Sequence, residues 1–124
     1  MLLSTSTFAR KTYIDVWMQP WSMTIGKYLL CADFGRTDVE SITEENDPST
    51  AKKFNSPMAG INFLSSLGWN VISTYQGIDT ITKKPALHYL LEKDIINESD
   101  IMDGITTKPE KKKMKEKKDY PLGK

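Results

Sequence analysis

One cysteine, Cys31, and one histidine, His88, are all that 124 residues provide of either type. A lone cysteine excludes an intramolecular disulfide and any zinc cage built on paired cysteines. It leaves the compartment open, because a chain without disulfides can reside anywhere. A lone histidine needs a positioned nucleophile or acid to act in catalysis, and no spacing here supplies one. Packing on a strand face is the simpler role for His88. No run approaches the roughly 20 apolar residues that carry a helix across a bilayer. No glycine-rich phosphate loop or nucleophile elbow occurs. The tripeptide Asp33-Phe34-Gly35 stands without the other parts of a kinase site. The acidic run Glu44-Glu45-Asn46-Asp47 has neither the alternating ligands nor the central glycine of a calcium loop. No catalytic residue, metal ligand or cofactor site is assigned.

Net charge is nearly absent as well, at +1, yet the charges are unevenly spread. Between Lys108 and Lys124 eight lysines stand against three acids, whereas residues 1–107 carry nine basic and thirteen acidic groups. The folded part is therefore mildly acidic, unlike a domain that tracks a phosphate backbone. The tail has no arginine and one aromatic, Tyr120. Nucleic-acid binders combine lysines with stacking aromatics or arginines, so a solubilising tail is the simpler reading and nucleic acid is not the expected partner. A nucleic-acid accessory role through this tail is kept as an alternative.

What is present is enough for one small domain: 39% hydrophobic and 27% charged residues, with the aromatics concentrated before residue 90. Lys11 to Met18 alternates, placing Tyr13, Asp15 and Trp17 on one side and Ile14, Val16 and Met18 on the other, and Pro20 ends the run. Ile25 to Phe34 reads as a second strand with Tyr28, Leu30, Ala32 and Phe34 facing inward. Arg36 to Lys53 is polar and reads as a connection. A helix over Pro57 to Leu67 has Ser56 as N-cap, Pro57 in its first turn, Met58, Ile61, Leu64 and Leu67 at helical spacing, and Gly68 to close it. Gly60, a poor helix former, fits a close approach of helix to sheet. Trp69 to Gln76 and Ala86 to Lys93 read as the third and fourth strands.

The expectation is an α+β fold of order ββαββ: a four-stranded, mainly antiparallel sheet with one helix on one face. Strands one and two form one hairpin, strands three and four another. Residues 1–10 read as the end of a truncated signal peptide or as an irregular N-terminus, 11–95 as the globular domain, 96–107 as a short docked segment, and 108–124 as a disordered lysine-rich tail. Thr7 and Ala9 sit at the −3 and −1 positions of a signal-peptidase site, but a positive start and a full apolar segment are missing. A signal remnant would place the protein in the periplasm or outside the cell, and an irregular N-terminus in the cytoplasm.

The block FNSPMAGINFLSSLGW (54–69), followed by Tyr75 and LHYLLEK (87–93), resembles a family of small uncharacterised Bacteroidetes proteins. That family shares the phenylalanine-asparagine-serine helix start, the glycine-tryptophan cap and a closing strand of tyrosine, leucines and lysine. The resemblance covers about residues 11–95, and the Asp33-Phe34-Gly35 turn fits it. The chain is similar, more loosely, to short bacterial domains with a glycine-tryptophan-glutamate strand start, although Asn70 here follows Trp69. The resemblance implies a secretory signal and supplies no catalytic residue.

One helix covers one sheet face only. The other is expected to be polar, or covered by another chain as in a homodimer. Trp17, Trp21 and Tyr13, with Tyr75 and Tyr89, are the candidate interaction surface of a non-enzymatic binding domain. The alternative is a carboxylate enzyme built on Asp15 and Asp33 of adjacent strands, which requires both to point into one concave pocket.

Overall fold

The computed structural model describes residues 9–21 and 26–110. Its strands are β1 (Arg10–Pro20), β2 (Tyr28–Asp33), β3 (Glu40–Glu44), β4 (Asp47–Ala51), β5 (Lys53–Phe54), β6 (Asn70–Ile78), β7 (Pro85–Ile95) and β8 (Thr107–Pro109). One α-helix, α1 (Pro57–Ser66), and a 3-10 helix, Glu98–Met102, complete the elements. The molecule is thus mostly sheet. The four-stranded ββαββ expectation is overturned by an eight-stranded sheet in the order β4-β3-β2-β1-β7-β6, with β5 added on β2 and β8 on β3. Every pairing is antiparallel.

The two expected hairpins are present as β1–β2 and β6–β7, and β1 joins them by pairing with β7 from Arg10↔Ile95 to Trp17↔His88. Of the added strands, β3 and β4 come from the segment read as a polar connection, β5 from its end, and β8 from the start of the segment read as a tail. Glu40, Ser41, Ile42 and Thr43 of β3 are all buried. Their polar groups find partners that are remote in sequence. Arg36 donates to both Glu40 carboxylate oxygens at 2.8 and 2.7 Å, and Thr107 Oγ1 donates to Oε1 at 2.5 Å. Ser41 Oγ donates to Glu110 at 2.7 Å. A buried polar strand is stable only when such partners exist, and composition cannot show them. Thr107 to Glu110 therefore belong to the fold, with Glu110 N–H donating to Val39 O at 2.7 Å. The rest of the lysine-rich tail, 111–124, lies outside the described residues, as does 1–8 of the candidate signal remnant.

The helix is set by its own ends. Ser56 Oγ accepts the Ala59 N–H at 3.1 Å, and Pro57 opens the first turn. At the other end Trp69 N–H reaches Leu64 O at 3.2 Å and Gly68 N–H reaches Ser65 O at 3.0 Å, with Gly68 at φ +99°. These two bonds close the last turn as a glycine-capped helix end. Ile61 and Leu64 face the core, but Met58, expected beside them, is 53% exposed, and Gly60 takes the buried position. A Cβ on Gly60 would lie 2.7 Å from Met18 Cε, so the missing side chain lets α1 approach β1.

The core sits between α1 and one sheet face: Ile14, Val16, Leu30, Ala32, Ile42, Phe54, Ile61, Leu64, Trp69, Leu91 and Ile105. The second face is not the open surface expected. Trp17, Cys31, Ser41 and His88 are buried along it, at 1%, 0%, 0% and 4% exposure. Among the described residues no helix is long and apolar enough to cross a membrane.

Candidate functional site

The densest chemistry lies on that second face. Strand register puts Trp17 opposite both Cys31 and His88, and Asp15 opposite Asp33. Tyr75 pairs with His88 from the other side. The His88 ring is held between Trp17, with ring centroids 4.7 Å apart, and Tyr75, at 4.9 Å. Its Nδ1 lies 2.7 Å from Asp15 Oδ1, and its Nε2 lies 2.6 Å from Ile78 O. A carbonyl only accepts, so Nε2 carries a proton. Tyr75 donates its phenolic proton to Asp15 Oδ2. That bond, then burial, then the charges of Asp15 and Asp33, pushes the Tyr75 phenol up to about 12. Gly77 makes room for the group: a Cβ there would stand 3.0 Å from His88 Cδ2.

Chemically the cluster is closed. Both imidazole nitrogens are engaged inside the protein, and neither is left to take a proton from a substrate. Asp15 is occupied by Tyr75 and His88, while Asp33 Oδ1 accepts the Gly35 N–H at 2.8 Å in a turn where Gly35 has φ +83°. Asp15 and Asp33 face each other across β1 and β2 on one sheet face, and neither lines the cavity described below. Among the described residues no group of three histidine, cysteine, aspartate or glutamate side chains is placed to hold a metal ion. Cys31 is equally withdrawn. Burial raises the thiol pKa well above its ordinary range, and the Asp79 and Glu110 charges raise it further. The start of the C-terminal segment reaches this face through the Ser41–Glu110 hydrogen bond, and the 79–84 loop shares a cavity with Gln19 and Leu29.

Beyond the Trp17 layer a cavity of about 480 Å³ opens between Met18, Pro20, Trp21, Leu29, Pro85 and Ala86, with Gln19, Asp79, Thr82 and Lys84 supplying its polar atoms. Asp79 is 3% exposed, and its Oδ1 accepts the N–H groups of Ile81 at 2.8 Å and Thr82 at 3.3 Å. The buried carboxylate is thus committed to shaping its own turn.

The three residues expected to form one interaction surface are dispersed. Trp17 is not on the surface at all, because Cys31 and His88 flank it within the sheet. Tyr13 is exposed near one end of β1, opposite Glu92. Trp21 is partly buried just past the other end, with Lys53 Nζ 4.5 Å from its ring centre. Eight residues of extended chain separate Tyr13 from Trp21, about 26 Å. Of the other aromatics expected there, Tyr75 is 46% exposed and Tyr89 packs partly buried against the core.

The surface that sequence reasoning missed is an edge. β6 is the last strand of the sheet, and Val71, Ile72, Tyr75 and Ile78 along it are 44–48% exposed. Every second residue of an edge strand turns its N–H and C=O away from its neighbour. Native sheets blunt such edges with charge, proline, bulges or short length. The opposite edge does so: β4 has five residues, starts with Asp47 and Pro48, and pairs with β3 through a register shift. β6 has nine residues, NVISTYQGI, without charge or proline. Its one irregularity is the unpaired Ile72, between Val71↔Leu91 and Ser73↔Leu90. The signal was visible in the sequence, but only the strand order makes it an edge. No family model, curated protein or solved structure matches the chain.

Proposed function

We propose that this chain is a small non-enzymatic interaction domain that binds by adding an extended strand to β6. The observation that carries the reading is the contrast between the two edges: β4 is short, with Asp47 and Pro48, whereas β6 is long and uncharged and exposes Val71, Ile72, Tyr75 and Ile78. Strand addition draws affinity from main-chain hydrogen bonds and selectivity from alternate side chains, and β6 offers both. The closed Asp15–His88–Tyr75 cluster supports the same reading, since it fixes β6 to β7 and β1 instead of presenting a reactive atom.

A displayed library of random extended peptides, selected on the immobilised domain, tests this. The expected result is enrichment of β-branched and aromatic sequences whose binding falls at least about tenfold with Thr74→Lys. Selection of no peptide, or of peptides indifferent to Thr74→Lys, removes the reading.

A further inference from the structure

We infer that the strand added to β6 is the β6 of a second copy, paired antiparallel about a two-fold axis. This rests on the strand-addition reading and names its partner. Charge is the deciding consideration. A two-fold axis through an antiparallel edge sets each residue near the axis against its own kind, so any charge there would meet the same charge. The nine residues of β6 carry none. A hetero-partner imposes no such condition.

The ends of the strand point the same way. Asn70 lies beside Glu92 of β7, whose carboxylate also has Lys11 Nζ at 3.8 Å, whereas Ile78 leads into the turn holding the exposed Lys83 and Lys84. Antiparallel pairing brings the lysine end of one copy to the Glu92 end of the other, twice, by symmetry. Parallel pairing would set lysines against lysines. A single nine-residue edge is a small contact, so the dimer is expected to dissociate at about ten micromolar rather than nanomolar concentrations.

Sedimentation of the full chain across a concentration series is the test. The expected result is a monomer–dimer equilibrium in which Thr74→Lys or Gln76→Arg weakens association at least about tenfold, while Lys83→Glu with Lys84→Glu weakens it about threefold. Circular dichroism and melting confirm that each variant is folded. Amide exchange in the wild-type protein gives an independent readout: outward-facing β6 amides should slow as concentration rises through the dissociation constant. A monomer at several hundred micromolar (about fiftyfold above that constant), or a dimer unaffected by both Thr74→Lys and Gln76→Arg, overturns the inference. In the monomer case the strand-addition reading is judged separately by adding a synthetic Asn70–Ile78 peptide. Protection of β6 amides by this peptide, or by a peptide selected from the library and sensitive to Thr74→Lys, keeps that reading without the dimer, and absence of protection by any of them removes both.

Discussion

Asp15 and His88 are diagonal neighbours across the β1–β7 ladder, and Asp15 Oδ1 lies 2.7 Å from His88 Nδ1 while its other oxygen takes the Tyr75 proton. One carboxylate thereby ties together three strands, β1, β6 and β7. The exposed edge strand is held by its neighbours' side chains as well as by its own ladder.

The phenol gives this tie a pH signature. Tyr75 titrates near 12 in the folded protein against about 10 for an ordinary tyrosine. Its folded pKa is raised, so the stabilisation it contributes is complete below about pH 10 and is lost as pH rises towards 12. Melting temperatures of wild type and Tyr75→Phe should converge across that interval. In Asp15→Asn the phenol should titrate closer to 10, read from tyrosinate absorbance.

Two glycines should respond differently to alanine. At Gly77 the new Cβ meets the His88 ring at 3.0 Å and the Tyr75 ring at 3.3 Å, both fixed by stacking and hydrogen bonds. Gly77→Ala is expected to cost about 1–3 kcal/mol by denaturant unfolding. At Gly60 the obstacle is the thioether end of Met18, which can turn aside, and alanine gains about 1 kcal/mol in helix propensity. Gly60→Ala should change stability by less than about 1 kcal/mol.

Cys31 should be inert while the protein is folded. Burial, with the Asp79 and Glu110 charges, suppresses the thiolate that reacts with disulfide reagents. Labelling in native buffer should therefore proceed no faster than unfolding, and should become immediate in denaturant. Rapid native labelling would show that the second sheet face opens locally.

The Arg36–Glu40 pair holds the unexpected strand. Glu40 is 7% exposed and accepts from both Arg36 nitrogens and from Thr107. Arg36→Met leaves a buried carboxylate without its cation and should cost about 2–3 kcal/mol. A double-mutant cycle with Glu40→Gln should return a coupling of about 1 kcal/mol or more.

Much of the chain's local structure was legible. Ser56, Pro57 and Gly68 fix the ends of α1 through contacts within a few residues, so sequence alone placed the helix and its glycine cap. The alternation in β1 and β7 likewise separated Ile14 and Val16 from Asp15 and Trp17. β3 could not be read this way, because Glu40 and Ser41 look solvent-seeking until Arg36, Thr107 and Glu110 are brought to them. The burial of Trp17 is hidden for the same reason: one helix leaves one face open in principle, and the stacking of Trp17 on His88 of β7 is a tertiary event.

What the sequence by itself determined is therefore whatever depends on neighbours along the chain: strand alternation, the helix caps, the absence of a metal cage of cysteines, and an uncharged β6. What only the tertiary structure decided is which polar groups are buried in pairs, that the histidine cluster is closed, and that β6 ends the sheet. Hydrogen-bond partners as distant in sequence as Ser41 and Glu110, 69 residues apart, are set by strand order, and strand order is a property of the assembled sheet.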